Sequence, residues 1–350
     1  MFELSLSSSQ YISTLFLQQL VENEALQQFE LSASSLRSTQ PLAGAQPCED
    51  KVSKHADSAT QKLVVFSEGL HLQQLLAVQD SLQAYLHFES WYVVKVAGLT
   101  GFACAANVTQ AEKTELHPIL EKLAQQLCLE LCLVAQTPSL CEPGLLVMDM
   151  DSTVIACECI DEIAALAGVG TEVAAVTAQA MQGKLDFAQS LRTRVACLAN
   201  ADQAILQQVR DALPLMPGVV NLVNILKQHN WKLVIASGGF TFFADYLAQR
   251  LELDAAVANK LAIKDGKLTG EVEGDIVDAQ VKAQTLSELA QKWAIPHHQT
   301  VAMGDGANDL LMMAASGLGV ALHAKPIVRE KADISIRRGG LDTLLWVLAA

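Results

Sequence analysis

The eight cysteines of this 350-residue chain include no CxxC pair, and their spacings offer no zinc site. No apolar run approaches the roughly 20 residues that cross a bilayer. The start, MFELSLSSSQ, has neither the basic region nor the apolar core of a secretory signal. Basic residues are scarce: 24 Lys and Arg stand against 38 Asp and Glu, a formal net charge of −14. That balance argues against general binding to nucleic acid or anionic membranes. It leaves room for an anionic small molecule, because a pocket's local field can oppose the global charge. Internal repeats and low-complexity tracts are absent. Together these absences predict a cytoplasmic protein with reduced thiols. What is present is apolar surface. With 51% hydrophobic residues a sizeable core is expected, and the length suggests about two domains.

Residues 8–30 read as a helix, with Phe16, Leu17, Leu20 and Val21 on one face. Residues 40–59, broken by Pro and Gly, read as a loop. QKLVVFSE and SWYVVKVAG then read as strands, HLQQLLAVQDSLQAYL as a helix, and TQAEKTELHPILEKLAQQLCLELCLV as a helix running into a strand. This alternation predicts a smaller α/β sandwich over residues 1–136, ferredoxin-like or ACT-like, with a regulatory or dimerising role. Cys128 and Cys132, four apart on the expected helix, read as packing residues. QTPSLCEPG, at 136–144, is the expected linker. Beyond it LLVMDMD, WKLVIASGG, TVAMGDG and LGVAL are continuous apolar strands in β/α alternation. They predict a doubly wound parallel sheet over residues 145–350. Residues 158–213 are helical in pattern, so a helical cap is expected at about 158–215. Asp265–Gly266 marks a hairpin turn.

Carboxylates beside a buried strand are costly unless they are partnered, yet LLVMDMDSTVIACECIDE sets Asp149 and Asp151 at the end of one. Residues i and i+2 of an extended chain face the same way, so the two can converge. Close carboxylates admit a cation site, an acid–base pair, or a nucleophile with its proton donor; glycosidase chemistry also uses two carboxylates, normally about 5 Å or more apart, and nothing local excludes it. Active sites of open α/β sheets gather at the carboxyl ends of the strands. Two other ends carry polar groups: VIASGG ends in Ser237, Gly238 and Gly239, and VAMGDGAND supplies Asp305, Asn308 and Asp309. Asp305 would complete an oxygen-rich cage suited to Mg²⁺. Ser237 and its glycines form an anion site at a helix start, with Lys282 as a further cation. Taken singly, a DxD, an SGG or a GDG is usually a turn. The ordered set is the signal.

That set resembles the haloacid dehalogenase superfamily of phosphatases: DMDST its first motif, ASGGF its second, Lys282 its third and GDGAND its fourth. DSTVIACECIDEIAALAGV, AMQGKLDFAQSLRTRV, LTGEVEG and AKPIVREKADISI extend the likeness, over residues 145–350, to its phosphoserine phosphatase family. Met148 and Met150 stand where aromatics are common in the family. The resemblance implies Asp149 as nucleophile, forming an aspartyl-phosphate, and Asp151 as acid and then base. Mg²⁺ would be held by Asp149, Asp305 and the carbonyl of Asp151. Ser237, Gly238 and Lys282 would hold the phosphoryl oxygens. Asn308 would add a hydrogen bond at the substrate, and Asp309 would orient the metal's surroundings or Lys282. Glu158 would meet the substrate ammonium and Arg194 its carboxylate, with Arg192 the competing assignment in LRTR. Met181 and Phe187 would form an apolar lid.

The implied reaction is hydrolysis of O-phospho-L-serine to L-serine and phosphate, the last step of serine biosynthesis. The alternative is a phosphatase or phosphotransferase for another small amino-acid phosphate. The expected partner is the small-molecule substrate O-phosphoserine, with no nucleic acid and no membrane; a homodimer is left open. Cys157 and Cys159 flank Glu158, and a packing role for at least one of them is favoured over redox work; His297–His298 read as exposed and inert.

Overall fold

The computed structural model describes residues 3–5, 28–31, 35–40, 60–99, 102–110, 116–182 and 184–350. The chain divides into two units, Met1–Cys141 with Ile336–Ala350, and Glu142–Ser335.

The first unit is built on β1 (Glu3–Ser5), β2 (Gln28–Leu31), β3 (Ser35–Gln40), β4 (Thr60–Ser67), α1 (Leu72–Leu82), β5 (Leu86–Val94), β6 (Phe102–Gln110), α2 (His117–Leu127) and β7 (Glu130–Val134). The sheet order is β1-β3-β2-β5-β6-β4-β7, and its strands pair antiparallel. From β4 to β7 the chain runs β-α-β-β-α-β, with β4 and β6 adjacent at the centre, the ferredoxin-like arrangement. Leu72, Leu75, Val78 and Leu82 form one face of α1 at helical spacing. They share a core with the alternate residues Leu63 and Val65 of β4 and Cys104, Ala106 and Val108 of β6.

The structure departs from the sequence reading here in three places. Gln28–Leu31 is a strand, whereas a helix was expected through residue 30; most of that segment, and most of the loop at 40–59, lies outside the described residues. Cys128 and Cys132 do not share a helix. Cys128 ends α2 in the left-handed conformation, φ 57°, which turns the chain so that β7, carrying the buried Cys132, pairs with β4. The tail Ile336–Ala350, expected within the phosphatase domain, belongs with the first unit. The physical reason is Glu130, 5% exposed, whose carboxylate accepts backbone N–H groups of Arg337, Arg338 and Gly339 at 2.6–3.2 Å. Trp346 of the C-terminal helix Leu344–Ala349 also stacks on Phe66 at 5.5 Å. The exposed Cys141 is disulfide-bonded, while Cys104, Cys128, Cys132, Cys157, Cys159 and Cys197 are free.

In the second unit β8 (Leu145–Met148), β9 (Lys232–Phe240), β10 (Ala255–Lys264), β11 (Lys267–Glu273), β12 (Thr300–Gly304), β13 (Leu318–Leu322) and β14 (Ile334–Ile336) form a sheet ordered β11-β10-β9-β8-β12-β13-β14. Pairing is parallel from β10 through β13, and β11 is antiparallel to β10. This is the expected doubly wound sheet. From β8 the chain goes to β9 on one side and later to β12 on the other, so a crevice opens at the carboxyl end of β8. Four cap helices, α3 (Cys159–Ala167), α4 (Gly170–Met181), α5 (Phe187–Cys197) and α6 (Ala204–Asp211), intervene between β8 and β9.

The β10–β11 hairpin holds the cap in place. Asp265 and Gly266 both have positive φ, 51° and 76°, as its two-residue turn requires. Near it Asn200 donates its N–H to the Leu268 carbonyl and Gln203 its N–H to the Gly266 carbonyl, each at 2.9 Å. Among the described residues no helix is long and apolar enough to cross a membrane.

Candidate active site

Asp149 is the first residue beyond β8, and it is almost fully buried. Its N–H donates to the Met303 carbonyl at 2.9 Å, which carries the β8–β12 ladder one step further. Its Oδ1 accepts the Met150 N–H at 2.7 Å and pairs with Lys282 Nζ at 2.8 Å. Lys282 rises from the first turn of α7 (Ala279–Lys292), whose start Asp278 caps by accepting the N–H groups of Gln280 and Val281. The lysine is fully buried and also reaches Asp309 Oδ1 at 2.8 Å. Burial opposes its charge, but Asp149 and Asp309 outweigh that and hold it protonated above the ordinary lysine range. Breaking such a buried pair typically costs about 3–5 kcal/mol, because the remaining charge loses its partner. Asp309 Oδ2 accepts the Gly306 N–H at 3.0 Å, fixing the turn after β12.

Oxygens of Asp149, Asp305 and Asp309 lie within 4.8 Å of one another. Asp305 is pushed up to about 7 by burial and by the charges of Asp149 and Asp309. Three carboxylates facing one buried lysine are an unbalanced negative cluster. A hard divalent cation with oxygen ligands would relieve that repulsion, so the donor set fits a Mg²⁺-like ion. The cluster takes in the Asp309 side chain and not that of Asp151, whose expected contribution was a backbone carbonyl. Asp151 is half-buried, and its Oδ1 accepts the Cys159 N–H at 3.1 Å. Desolvation, then repulsion from Glu158 and Asp149, push it up to about 7. The two aspartates of DxD therefore sit in different environments: one salt-bridged, the other poised near neutrality.

At the end of β9, Ser237 is buried and its Oγ accepts the Gly239 N–H at 2.9 Å. The glycines allow close approach. A Cβ on Gly238 would fall 2.5 Å from Phe187 Cζ, and one on Gly239 would fall 2.6 Å from Asp151 Oδ2. Phe187, Leu191 and Arg194, at i, i+4 and i+7 of α5, turn one face toward a cavity of about 240 Å³. Asp149, Asp151, Glu158, Ser237, Asp305 and Asn308 also line it. Arg194 Nε is buried with no protein partner, whereas Arg192 is exposed and outside this lining. Ser152 Oγ donates to Glu158 Oε1 at 2.8 Å. Desolvation and then, against the Ser152 bond, the Asp149 charge raise the Glu158 pKa.

Residues 144–317 match the haloacid dehalogenase-like hydrolase family. A phosphoserine phosphatase of Vibrio cholerae is 56% identical over 236 residues, 67% of this chain and 72% of that one. The chain belongs to the phosphoserine phosphatases of the haloacid dehalogenase-like hydrolases. The crystal structure of a probable phosphoserine phosphatase from Vibrio cholerae, in unliganded form, superposes with a TM-score of 0.70 at 46% identity, covering 85% of this chain and 89% of that one. A second solved phosphoserine phosphatase, described as a phospho-aspartyl intermediate analogue, has a TM-score of 0.56 at 41% identity, over 58% of this chain and 98% of that one.

In this member of the family nine of the expected site residues line one cavity: Asp149, Asp151, Glu158, Phe187, Arg194, Ser237, Gly238, Asp305 and Asn308. Lys282 and Asp309 stand behind it, in contact with Asp149 or with each other. Met181 ends α4, and its side chain lies outside the described residues. Two residues escaped the sequence reading. Lys325, in the AKP stretch, lines the cavity. Asn259, 1% exposed, donates to the Gly238 carbonyl and accepts the Val277 N–H, both at 2.8 Å, so it braces the glycine turn. A polar residue inside the apolar strand AVANKLAI was the available signal for it.

Proposed function

We propose that this chain hydrolyses O-phospho-L-serine to L-serine and phosphate, with Mg²⁺, as the last step of serine biosynthesis. The observation that carries this reading is the lining of one cavity. Glu158, which suits an ammonium, and Arg194, whose buried Nε has no protein partner and whose guanidinium suits a carboxylate, share it with Asp149 and Asp151. An amino acid bearing a phosphate presents those three groups.

Asp149 Oδ1 is held by Lys282 and the Met150 N–H, which leaves Oδ2 to attack phosphorus. The Asp149 O–P bond forms, the P–O bond to serine breaks, and the Asp151 proton goes to the serine oxygen. Water then attacks phosphorus, gives a proton to Asp151, and frees Asp149. Near neutral pH the raised pKa of Asp151 suits both duties. Asp149 and Asp305, with the Asp151 carbonyl, would hold Mg²⁺. When bound, the ion neutralises charge on the phosphoryl oxygens. Ser237 and Gly238 would hold those oxygens from the protein side, Lys282 would add its charge from behind Asp149, and Asn308 would add a hydrogen bond. Phe187, which lines the cavity, excludes water. A similar solved enzyme described as a phospho-aspartyl intermediate analogue supports the covalent route.

Arg194→Ala tests the substrate. It is expected to raise KM for O-phospho-L-serine by about 10- to 100-fold, the worth of a charge-assisted hydrogen bond. The rate on p-nitrophenyl phosphate, which has no carboxylate for Arg194 to meet, should stay within about threefold. Equal losses on both substrates would place Arg194 in the chemistry or the fold and remove the argument for an amino-acid substrate.

A further inference from the structure

Two cysteines flank Glu158, and the backbone decides where each side chain goes. Glu158 is extended, at φ −101° and ψ 109°, so its neighbours project to one side while it projects to the other. Accordingly Glu158 lines the catalytic cavity. Cys157 lines a second cavity, of about 470 Å³, with Glu162, Leu166, Gln208 and Val209 among its walls. The Cys159 thiol, close to that of Cys157, lowers the Cys157 pKa from the ordinary thiol value. Cys157 is half-buried and Cys159 fully buried.

This segment is tied directly to the catalytic loop. The Cys157 carbonyl accepts the Ser152 N–H at 3.3 Å. The Ser152 hydroxyl holds Glu158 at 2.8 Å, and the Cys159 N–H holds Asp151 at 3.1 Å. Any change in the 157–159 backbone therefore reaches both the proposed ammonium partner and the proposed acid. Two steps of extended chain set Cα atoms about 6.6 Å apart, at the top of the roughly 4.4–6.8 Å that a disulfide spans. A bond there would close under strain, and strained disulfides are the readily reduced ones.

We propose that Cys157 and Cys159 are an oxidisable thiol pair, and that hydrogen peroxide entering the second cavity converts them to a disulfide that lowers turnover by displacing Glu158 and Asp151. The step balances. Cys157 sulfur attacks a peroxide oxygen, giving a sulfenic acid and one water; Cys159 sulfur then displaces the hydroxyl, giving the S–S bond and a second water. A thiol reductant reverses it by exchange. The loss of activity rests on the proposed phosphoserine reading, whereas formation of the bond does not.

The test treats full-length enzyme with graded peroxide, assays it on O-phospho-L-serine, and maps its peptides by mass without reduction. Expected are a loss of two hydrogens within the peptide carrying Cys157 and Cys159, and a fall in kcat/KM of about tenfold or more over the same doses, restored by dithiothreitol. Cys157→Ser should start with normal activity and show no reversible loss. A map with no Cys157–Cys159 bond overturns the proposal, as does a bond that leaves kcat/KM unchanged, or a Cys157→Ser enzyme that loses activity as the parent does. If untreated enzyme ignores phosphoserine, the substrate reading fails, while the peptide map still decides whether the bond forms.

Discussion

Asp149→Asn is expected to lower phosphate release from O-phospho-L-serine by about 10⁴-fold or more, the scale on which losing a covalent nucleophile is felt. The substitution keeps the shape of the side chain. An amide oxygen can still accept the Met150 N–H and the Lys282 ammonium, both of which meet Oδ1. What is lost is a charged oxygen able to bond to phosphorus. Folding should survive, because Lys282 keeps its bond to Asp309 at 2.8 Å. The check is phosphate release beside a circular dichroism spectrum. A folded variant that kept more than about 1% of the parent rate would mean that another group attacks phosphorus.

Asp151→Asn is expected to cost about 10²- to 10⁴-fold on phosphoserine, the usual worth of a positioned acid–base group. Its effect should depend on the leaving group. Serine departs as an alkoxide unless a proton is supplied, whereas nitrophenolate departs unaided. The first step with p-nitrophenyl phosphate should therefore be largely spared, and the second, which needs a base, should stall. Rapid quenching and peptide mass analysis should then find a phosphoryl group on the peptide carrying Asp149. Equal losses on the two substrates with no phosphorylated peptide would remove Asp151 from proton transfer.

The lining of the central cavity was legible because it lies where the chain's periodicities are strict. Continuous apolar strands announced the buried sheet, and a two-residue spacing aimed Asp149 and Asp151 at one place. Helix phase, once α5 is in view, separates Arg194 from Arg192: two positions around a helix is the opposite side. From the sequence that choice rested on resemblance alone. The less legible features depend on partners far away along the chain. Nothing near Glu130 foretells that its carboxylate gathers N–H groups some 207 residues later, so the tail was assigned to the wrong unit. Asn259 was overlooked because its partners, Gly238 and Val277, lie 21 and 18 residues away. The cysteine pair at 157 and 159 read as packing, since only the backbone at Glu158 shows that the thiols share one side and the carboxylate takes the other.

The most direct measurement is phosphate release by the wild-type chain from O-phospho-L-serine, O-phosphothreonine and p-nitrophenyl phosphate, with Mg²⁺ and again after chelation. The account predicts strong turnover of phosphoserine, weak turnover of the other two, and loss of activity on chelation that added Mg²⁺ restores. Turnover of p-nitrophenyl phosphate without phosphoserine would contradict the roles of Glu158 and Arg194. No release from any of the three would contradict the phosphatase chemistry assigned to Asp149.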